Sequence, residues 1–435
     1  METRAAPVSP VPAGPVAPAA PSGARRPFPA ASELARHWDL DPSVCFLNHG
    51  SFGACPRAVL AEQSRLRARM EAEAVRFFVE EYEALIDAAR GALAALVGAR
   101  AEDLVFVPNA TTGVATALEN LAAGLRPGDE VLATTHEYPG CMTNLRRVAG
   151  GGGAVVVPAA PPFPASSSSE AVEAVLSKVT ARTRLALVSH ITAPSAMVLP
   201  VERIVPALEA RGVVTIVDGA HAAGQVPLDL GALGASFYTA NCHKWLCTPK
   251  GTAFLHIRPD RQAGFRPLVL SNSAEKPRPG RKHLLTEFDY AGTSDYTGWL
   301  SVPAAISTMA SLAPGGWAGV MQRNHDLAVA ARAVVCRALG VEAPAPEGML
   351  GSMAAVFLPP HEGVRQARVV ARPTRYHDAL QDALLDRWRI QVPVWSIPGD
   401  ARRLVRLSAQ LYNAPGQYEY LAAALAEELA REREL

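Results

Sequence analysis

From residue 104 to residue 257 the chain alternates short apolar runs with amphipathic stretches, and that alternation constrains its architecture more than any other feature. Leu104–Val107, Glu130–Thr134, Ala154–Val157, Arg184–Val188 and Val213–Asp218 have the length and apolar continuity of buried strands. Between them lie helical patterns at Val114–Leu121, Glu170–Val179 and Val201–Ala210. Strands and helices in alternation form a mostly parallel sheet with both faces covered. The class is therefore α/β, and ligands are expected at the carboxyl ends of the strands.

A chain of 435 residues exceeds one ordinary core and divides into two domains. The expected division is a large ligand-binding domain over 31–314, including an N-terminal active-site segment, and a smaller α+β domain over 315–435. The break is placed at Pro314, Gly315 and Gly316. Residues 1–30 are rich in proline and alanine, which forbids a helix and predicts a disordered or extended segment. A net charge of +1 gives no electrostatic case for nucleic acid or an anionic membrane, and no apolar stretch has membrane-spanning length. The six cysteines are scattered with no C-x-x-C pair, so no metal site is expected. Reduced thiols and a cytoplasmic setting are the default for so long a chain.

Thr239–Gly251 joins two of the apolar runs and holds Lys244 between His243 and Trp245. Lysine is scarce, five residues against 37 arginines, so arginine serves as the surface cation and a lysine at a structured junction stands out. An amine can lose its proton when desolvated and form a Schiff base, which a guanidinium cannot. Lys244 is read as the residue that carries pyridoxal 5′-phosphate as an aldimine. Asp218 ends an apolar run at the same expected sheet edge, where a carboxylate needs a partner and a protonated pyridine nitrogen would be one. Asn109–Gly113 links a strand to a helix start and forms an anion site, with Thr111 and Thr112 as hydroxyl donors; a threonine there could equally be only the N-cap. His136 follows a strand and could stack on a flat ligand. Asn48 and His49 lie in a glycine-bracketed turn after another extended segment. Arg406 sits mid-strand. Facing a cleft it would take a substrate carboxylate in bidentate fashion; facing water it would be ordinary, and both readings stand.

Six stretches together carry a resemblance: 46–53 (FLNHGSFG), 109–113 (NATTG), 217–221 (VDGAH), 243–245 (HKW), 290–293 (YAGT) and 405–413 (VRLSAQLYN). Their order resembles the class V aminotransferase family of fold type I, in its isopenicillin N epimerase-like branch, from about Phe46 to Asn413. The resemblance implies a lysine role for Lys244, pairing of Asp218 with the pyridine nitrogen, and stacking by His136. It implies phosphate contacts from Thr111, Thr112 and His243, with Thr293 reaching in from the second subunit of a homodimer. His221 would lie near the ring hydroxyl and Arg406 would grip the α-carboxylate of an amino-acid substrate, with Asn48, His49 and Tyr412 near that substrate. His49, Tyr138 and Tyr412 are alternatives for a second acid. Asn241 stands where related desulfurases have serine, and no cysteine lies between Val394 and Arg402, unlike enzymes that carry sulfur as a cysteine persulfide. Epimerisation is the leading expectation, followed by C–S lyase chemistry, then transamination; a non-catalytic binding protein is the reading from outside enzymology.

Overall fold

The computed structural model describes residues 27–435 apart from 277, 362 and 398; most of the Pro/Ala-rich segment expected at the N-terminus lies outside these. Twelve strands are present among the described residues: β1 (Cys45–Phe46), β2 (Leu104–Val107), β3 (Glu130–Thr134), β4 (Val155–Ala159), β5 (Thr183–Ser189), β6 (Val214–Asp218), β7 (Phe237–Asn241), β8 (Ala253–Ile257), β9 (Met353–Phe357), β10 (Ile390–Gln391), β11 (Val394–Ser396) and β12 (Arg403–Ser408). Seven of them form one sheet in the order β2-β8-β7-β6-β5-β3-β4. β3 through β7 run parallel to one another within the sheet, and β8 runs antiparallel to both β2 and β7.

Period-2 alternation explains why this sheet is buried on both faces. Ala186, Val188 and Val217 pack into one apolar cluster, while Leu185, Leu187 and Ile216 from the same strands pack into another on the opposite face. Because the side chains of β5 and β6 are apolar on both faces, their polar ends, Ser189 and Asp218, mark where the strands emerge into the site.

A three-stranded antiparallel sheet, β11-β12-β9, is built from the C-terminal part of the chain. The helices Trp317–Leu339 and Pro415–Glu432 pack against it and share its core. β1 pairs in parallel with β10, so the N-terminal segment is held by the C-terminal part of the chain.

Several expected elements differ in detail, each for a local reason. Apolar residues at helical spacing (Leu60, Leu66, Met70) predict a helix over 56–97, which is interrupted at Glu73, whose carboxylate caps a new start by accepting from Val75 N and Arg76 N. A π-helical turn, Phe77–Glu81, follows before Tyr82–Val97. The apolar run 390–395 predicts one strand and is two strands in two sheets, divided at Pro393, which has no N–H to give a ladder. The apolar run Gly234–Tyr238 predicts a strand, which begins only at Phe237 because Gly234 takes a left-handed conformation to close the short helix Leu230–Leu233. The turn at 48–53 contains a single helical turn, His49–Phe52. The helix expected from Val114 starts at Ala110 and is capped by Asn109, whose side chain accepts from Thr112 N, so neither threonine is the N-cap.

That helix lies close on β7. A Cβ on Gly113 would come within 2.8 Å of Thr239 Cβ, an approach the backbone of β7 cannot relieve. Gly113→Ala should therefore lower unfolding stability by about 1–3 kcal/mol in a denaturant melt.

Candidate active site

The carboxyl ends of the parallel strands bring the candidate residues together. Asp218 is the last residue of β6, His136 lies in the turn after β3, and Lys244 lies in the turn between β7 and β8. The helix start at Ala110 follows β2 on the same sheet. Arg406 enters from β12 of the smaller sheet, and Asn48 and Ser51 from the short N-terminal helix.

Lys244 Nζ is 3.2 Å from His221 Nε2. Burial, reinforced by the positive charge of Arg406, lowers the amine's pKa to about 7. With Nζ donating to Nε2, His221 carries its proton on Nδ1, and that buried atom has no partner among the described residues. Asp218 is buried and accepts from Ala220 N at 2.9 Å and from the Cys141 thiol at 3.2 Å. Burial raises its pKa, and among the described residues it forms no ion pair. The positive charge of Lys244 reaches it without a direct contact. His136 is held by Ser195, with Nδ1 and Oγ 2.7 Å apart, and Ser195 is fixed in turn by Thr192 Oγ1 at 2.7 Å.

Arg406 is the clearest anomaly. Its side chain is 2% exposed, yet among the described residues no carboxylate pairs with it. One arm donates to Ala193 O at 2.6 Å and another to Ser51 Oγ at 3.2 Å, while Nε has no partner. The guanidinium lies 4.7 Å from the centroid of the Trp395 ring, a cation–π contact. Burial pulls its pKa down to about 9. A buried guanidinium without an anion costs several kcal/mol, on the order of 3–5 for broken buried pairs, unless a ligand supplies the charge. Of its two open sequence readings, burial rules out the water-facing one.

The helix start is less open than its sequence suggests. Asn241 Oδ1 accepts from Ala110 N at 2.8 Å, so this asparagine ties β7 to the helix and occupies its first N–H. Thr112 Oγ1 donates to Asn109 Oδ1 at 3.1 Å, and Thr111 stays partly exposed in the first turn. His243 Nδ1 donates to Thr252 O at 2.9 Å, leaving Nε2 as the free ring nitrogen. Burial lowers its pKa to about 4, and an anion beside Nε2 would reverse that shift.

Two expected substrate contacts, His49 and Asn48, are engaged within the protein. His49 is fully buried behind the lysine: Nε2 donates to Lys244 O at 2.9 Å and Nδ1 accepts from Tyr412 OH at 2.9 Å. Both partners of this pair are therefore engaged in holding the Lys244 backbone from below. Thr293, expected to act in a second subunit, is exposed and bonds Tyr290 OH at 2.8 Å. Asn48 is buried and accepts from Ser51 Oγ at 2.6 Å, so it orients the hydroxyl that touches Arg406. Of the three alternatives for a second acid, Tyr138 alone has an accessible side chain, at 49% exposure. Sequence reasoning missed Cys141, Ser195 and Ser51 as contacts. Each is an ordinary residue in its own segment, and only the long-range packing reveals what it touches.

The residues present fit a phosphorylated pyridoxal. The set offers a half-neutral amine, a buried carboxylate without a cation, an orphaned imidazole N–H, a buried guanidinium without an anion, and hydroxyls at a helix start. Such a collection on the edge of a seven-stranded α/β sheet defines a fold type I enzyme. The chain belongs to the class V aminotransferase family, whose cofactor is pyridoxal 5′-phosphate: the family described as Aminotransferase class-V matches residues 51–372. The chain is 36% identical over 400 residues to isopenicillin N epimerase of Amycolatopsis lactamdurans, covering 89% of this chain and 96% of that protein. It is 31% identical over 416 residues to a probable chloroplastic L-cysteine desulfhydrase of Arabidopsis thaliana, covering 91% and 84%. Among solved structures, the cystine C–S lyase C-DES in complex with cysteine persulfide superposes with a TM-score of 0.70 at 21% identity, covering 88% and 97%.

The lowered pKa of Lys244 sets a pH dependence. A free lysine is almost wholly protonated below its ordinary value of 10.5, whereas here the reactive neutral amine dominates above about 7. Colour formation on adding pyridoxal phosphate to cofactor-free protein should therefore accelerate as pH rises through about 7 and then level off. Stopped-flow absorbance would check this, and Lys244→Ala should abolish the lysine-linked visible band.

Proposed function

We propose that this chain is an amino-acid epimerase or racemase that acts at the α-carbon of a substrate bearing a free α-carboxylate. The single observation that carries the substrate class is Arg406, a buried guanidinium with an unpartnered Nε and no carboxylate pairing with it among the described residues. The isomerase reading is supported by the 36% identity to isopenicillin N epimerase across most of both chains. Lys244, Asp218, His136, His221, Thr111, Thr112 and His243 would hold the cofactor. When bound, pyridoxal phosphate acts as an electron sink that weakens the bonds at the α-carbon.

The chain's own groups do the rest. Arg406 binds and orients the carboxylate, so it fixes which α-carbon bond faces the reactive plane. Lys244 Nζ exists in both protonation states near neutrality, so it can take a proton and return it. Inversion requires a second proton donor on the opposite face, and we assign that role to Tyr138, whose side chain is accessible beside Gly140 and Thr111. The homodimer, a contribution from Thr293 across its interface, the domain division near residue 314 and a cytoplasmic setting belong to the same reading. No helix among the described residues is long and apolar enough to cross a membrane.

A second reading, C–S lyase, is favoured by the 31% identity to the Arabidopsis desulfhydrase. Incubating the holoenzyme with candidate amino acids in deuterated water separates the two. Deuterium incorporation with inversion, and without release of keto acid or sulfide, is the expected outcome. Prompt release of sulfide or another β-substituent would reject epimerisation in favour of the lyase. Tyr138→Phe should slow inversion by about 10²-fold while leaving deuterium exchange with retention measurable.

A further inference from the structure

The turn that follows β3 carries a buried acid that the mechanism above does not use. Glu137 is 4% exposed and lies one residue from His136. Its Oε1 accepts from Thr134 Oγ1 at 2.6 Å and from Ser189 N at 2.7 Å. Its Oε2 lies 2.6 Å from Ser189 Oγ. Ser189 is the cross-strand neighbour of Asp218 in the β5–β6 ladder, and His190 N donates to the Asp218 carbonyl at 2.9 Å. Cys141, on the helix Pro139–Gly151 that begins two residues after Glu137, donates its thiol to Asp218 Oδ2 at 3.2 Å. One short segment therefore carries the His136 ring, Glu137, and the thiol that touches Asp218.

We propose that Glu137 is a positioning residue that retains its proton, locking the ends of β3 and β5 so that Asp218 alone presents negative charge at this edge of the site. The argument rests on reading Asp218 as the carboxylate that faces the cofactor nitrogen. Two buried carboxylates in one cluster would repel each other, and among the described residues no cation pairs with either. The groups facing Glu137 from the surrounding elements are Thr134 of β3, Ser189 of β5, Asp218 of β6 and Cys141 of the following helix. Of these only Asp218 can carry a charge at neutral pH, since burial pushes the Cys141 thiol far up. The contacts accommodate a neutral acid: Oε1 takes two donors, and the Ser189 hydroxyl, 2.6 Å from Oε2, can turn to accept from a protonated oxygen. Burial, together with Asp218, pushes the Glu137 carboxyl up to about 8. If Glu137 shed that proton, the second charge would push Asp218 towards protonation and weaken its hold on the cofactor.

The test uses full-length cofactor-free protein, wild type and Glu137→Gln. The glutamine reproduces the three contacts of a neutral acid but cannot ionise. A carboxyl whose folded pKa is raised stabilises the fold fully below its unfolded value, and that contribution is lost as pH rises towards the folded one. The Tm of wild type relative to Glu137→Gln should therefore fall by about 2 °C or more between pH 5 and pH 8, then level off. A difference that stays flat across that range overturns the proposal, because a merely structural glutamate would lower Tm equally at every pH. Should Glu137→Gln fail to fold, infrared spectroscopy of the wild-type protein at pH 7, read against Asp218→Asn to separate any signal from Asp218 itself, answers the question. A protonated-carboxyl stretch that disappears by pH 10 is expected, and its absence overturns the proposal. Neither measurement involves the cofactor, so a negative result leaves the proposed reaction standing, whereas wild-type protein that stays colourless with pyridoxal phosphate sinks the reaction and leaves the titration intact.

Discussion

Asp218, Lys244 and Arg406 are withdrawn from water at one edge of a sheet without ion-pair partners among the described residues, and the rest of the molecule is arranged around that electrostatic debt. Charges of opposite sign this close would ordinarily collapse onto one another. Here they do not, because each is held by neutral contacts: a thiol and an amide for Asp218, an imidazole for Lys244, a carbonyl and a hydroxyl for Arg406. Neutral contacts fix position without cancelling charge. The electrostatic demand is left for a ligand that carries a cationic ring nitrogen and an anionic carboxylate at suitable places, and a cofactor-bound amino acid has both.

The balance explains why the two cations differ in chemistry. Lys244 sits where burial and the charge of Arg406 both act against protonation, and its amine becomes a base near neutrality. Arg406 is buried as well, but a guanidinium whose pKa is lowered only to about 9 stays charged at neutral pH. One residue can therefore exchange protons while the other holds a carboxylate. Exchanging the two residue types would lose both properties.

Much of this was legible in the sequence, and the reason is locality. Asp218 ends an apolar run, Lys244 is one of five lysines in an arginine-rich chain, and strand alternation places both at the same sheet edge. What the letters left open depended on contacts far apart in the chain. The direction of Arg406 is decided by the packing of β12 against β9 and by the reach of Ser51, 355 residues away. The resemblance implied that His49 and Tyr412 lie near the substrate. Their burial follows from the pairing of β1 with β10, which no local pattern announces. The same holds for Glu137 and Cys141, whose significance lies wholly in their distance from Asp218.

The backbone beneath Lys244 is fixed from two directions by opposite ends of the chain. His49 grips the lysine carbonyl and is itself held by Tyr412 from the C-terminal part. Gly53, at φ 71, lies so close that a Cβ there would meet the His243 carbonyl and come within 2.9 Å of Lys244 Cα. A side chain that must take and return a proton needs a free amine on an immobile stem, since mobility of the stem would blur the geometry that selects which bond faces it. The segments around His49 and Tyr412 supply that immobility, and among the described residues the amine's one hydrogen bond is to a neutral imidazole that a ligand can displace. The glycine-bracketed turn at 48–53, which reads on its own as a plain bend, is therefore part of the lysine's foundation.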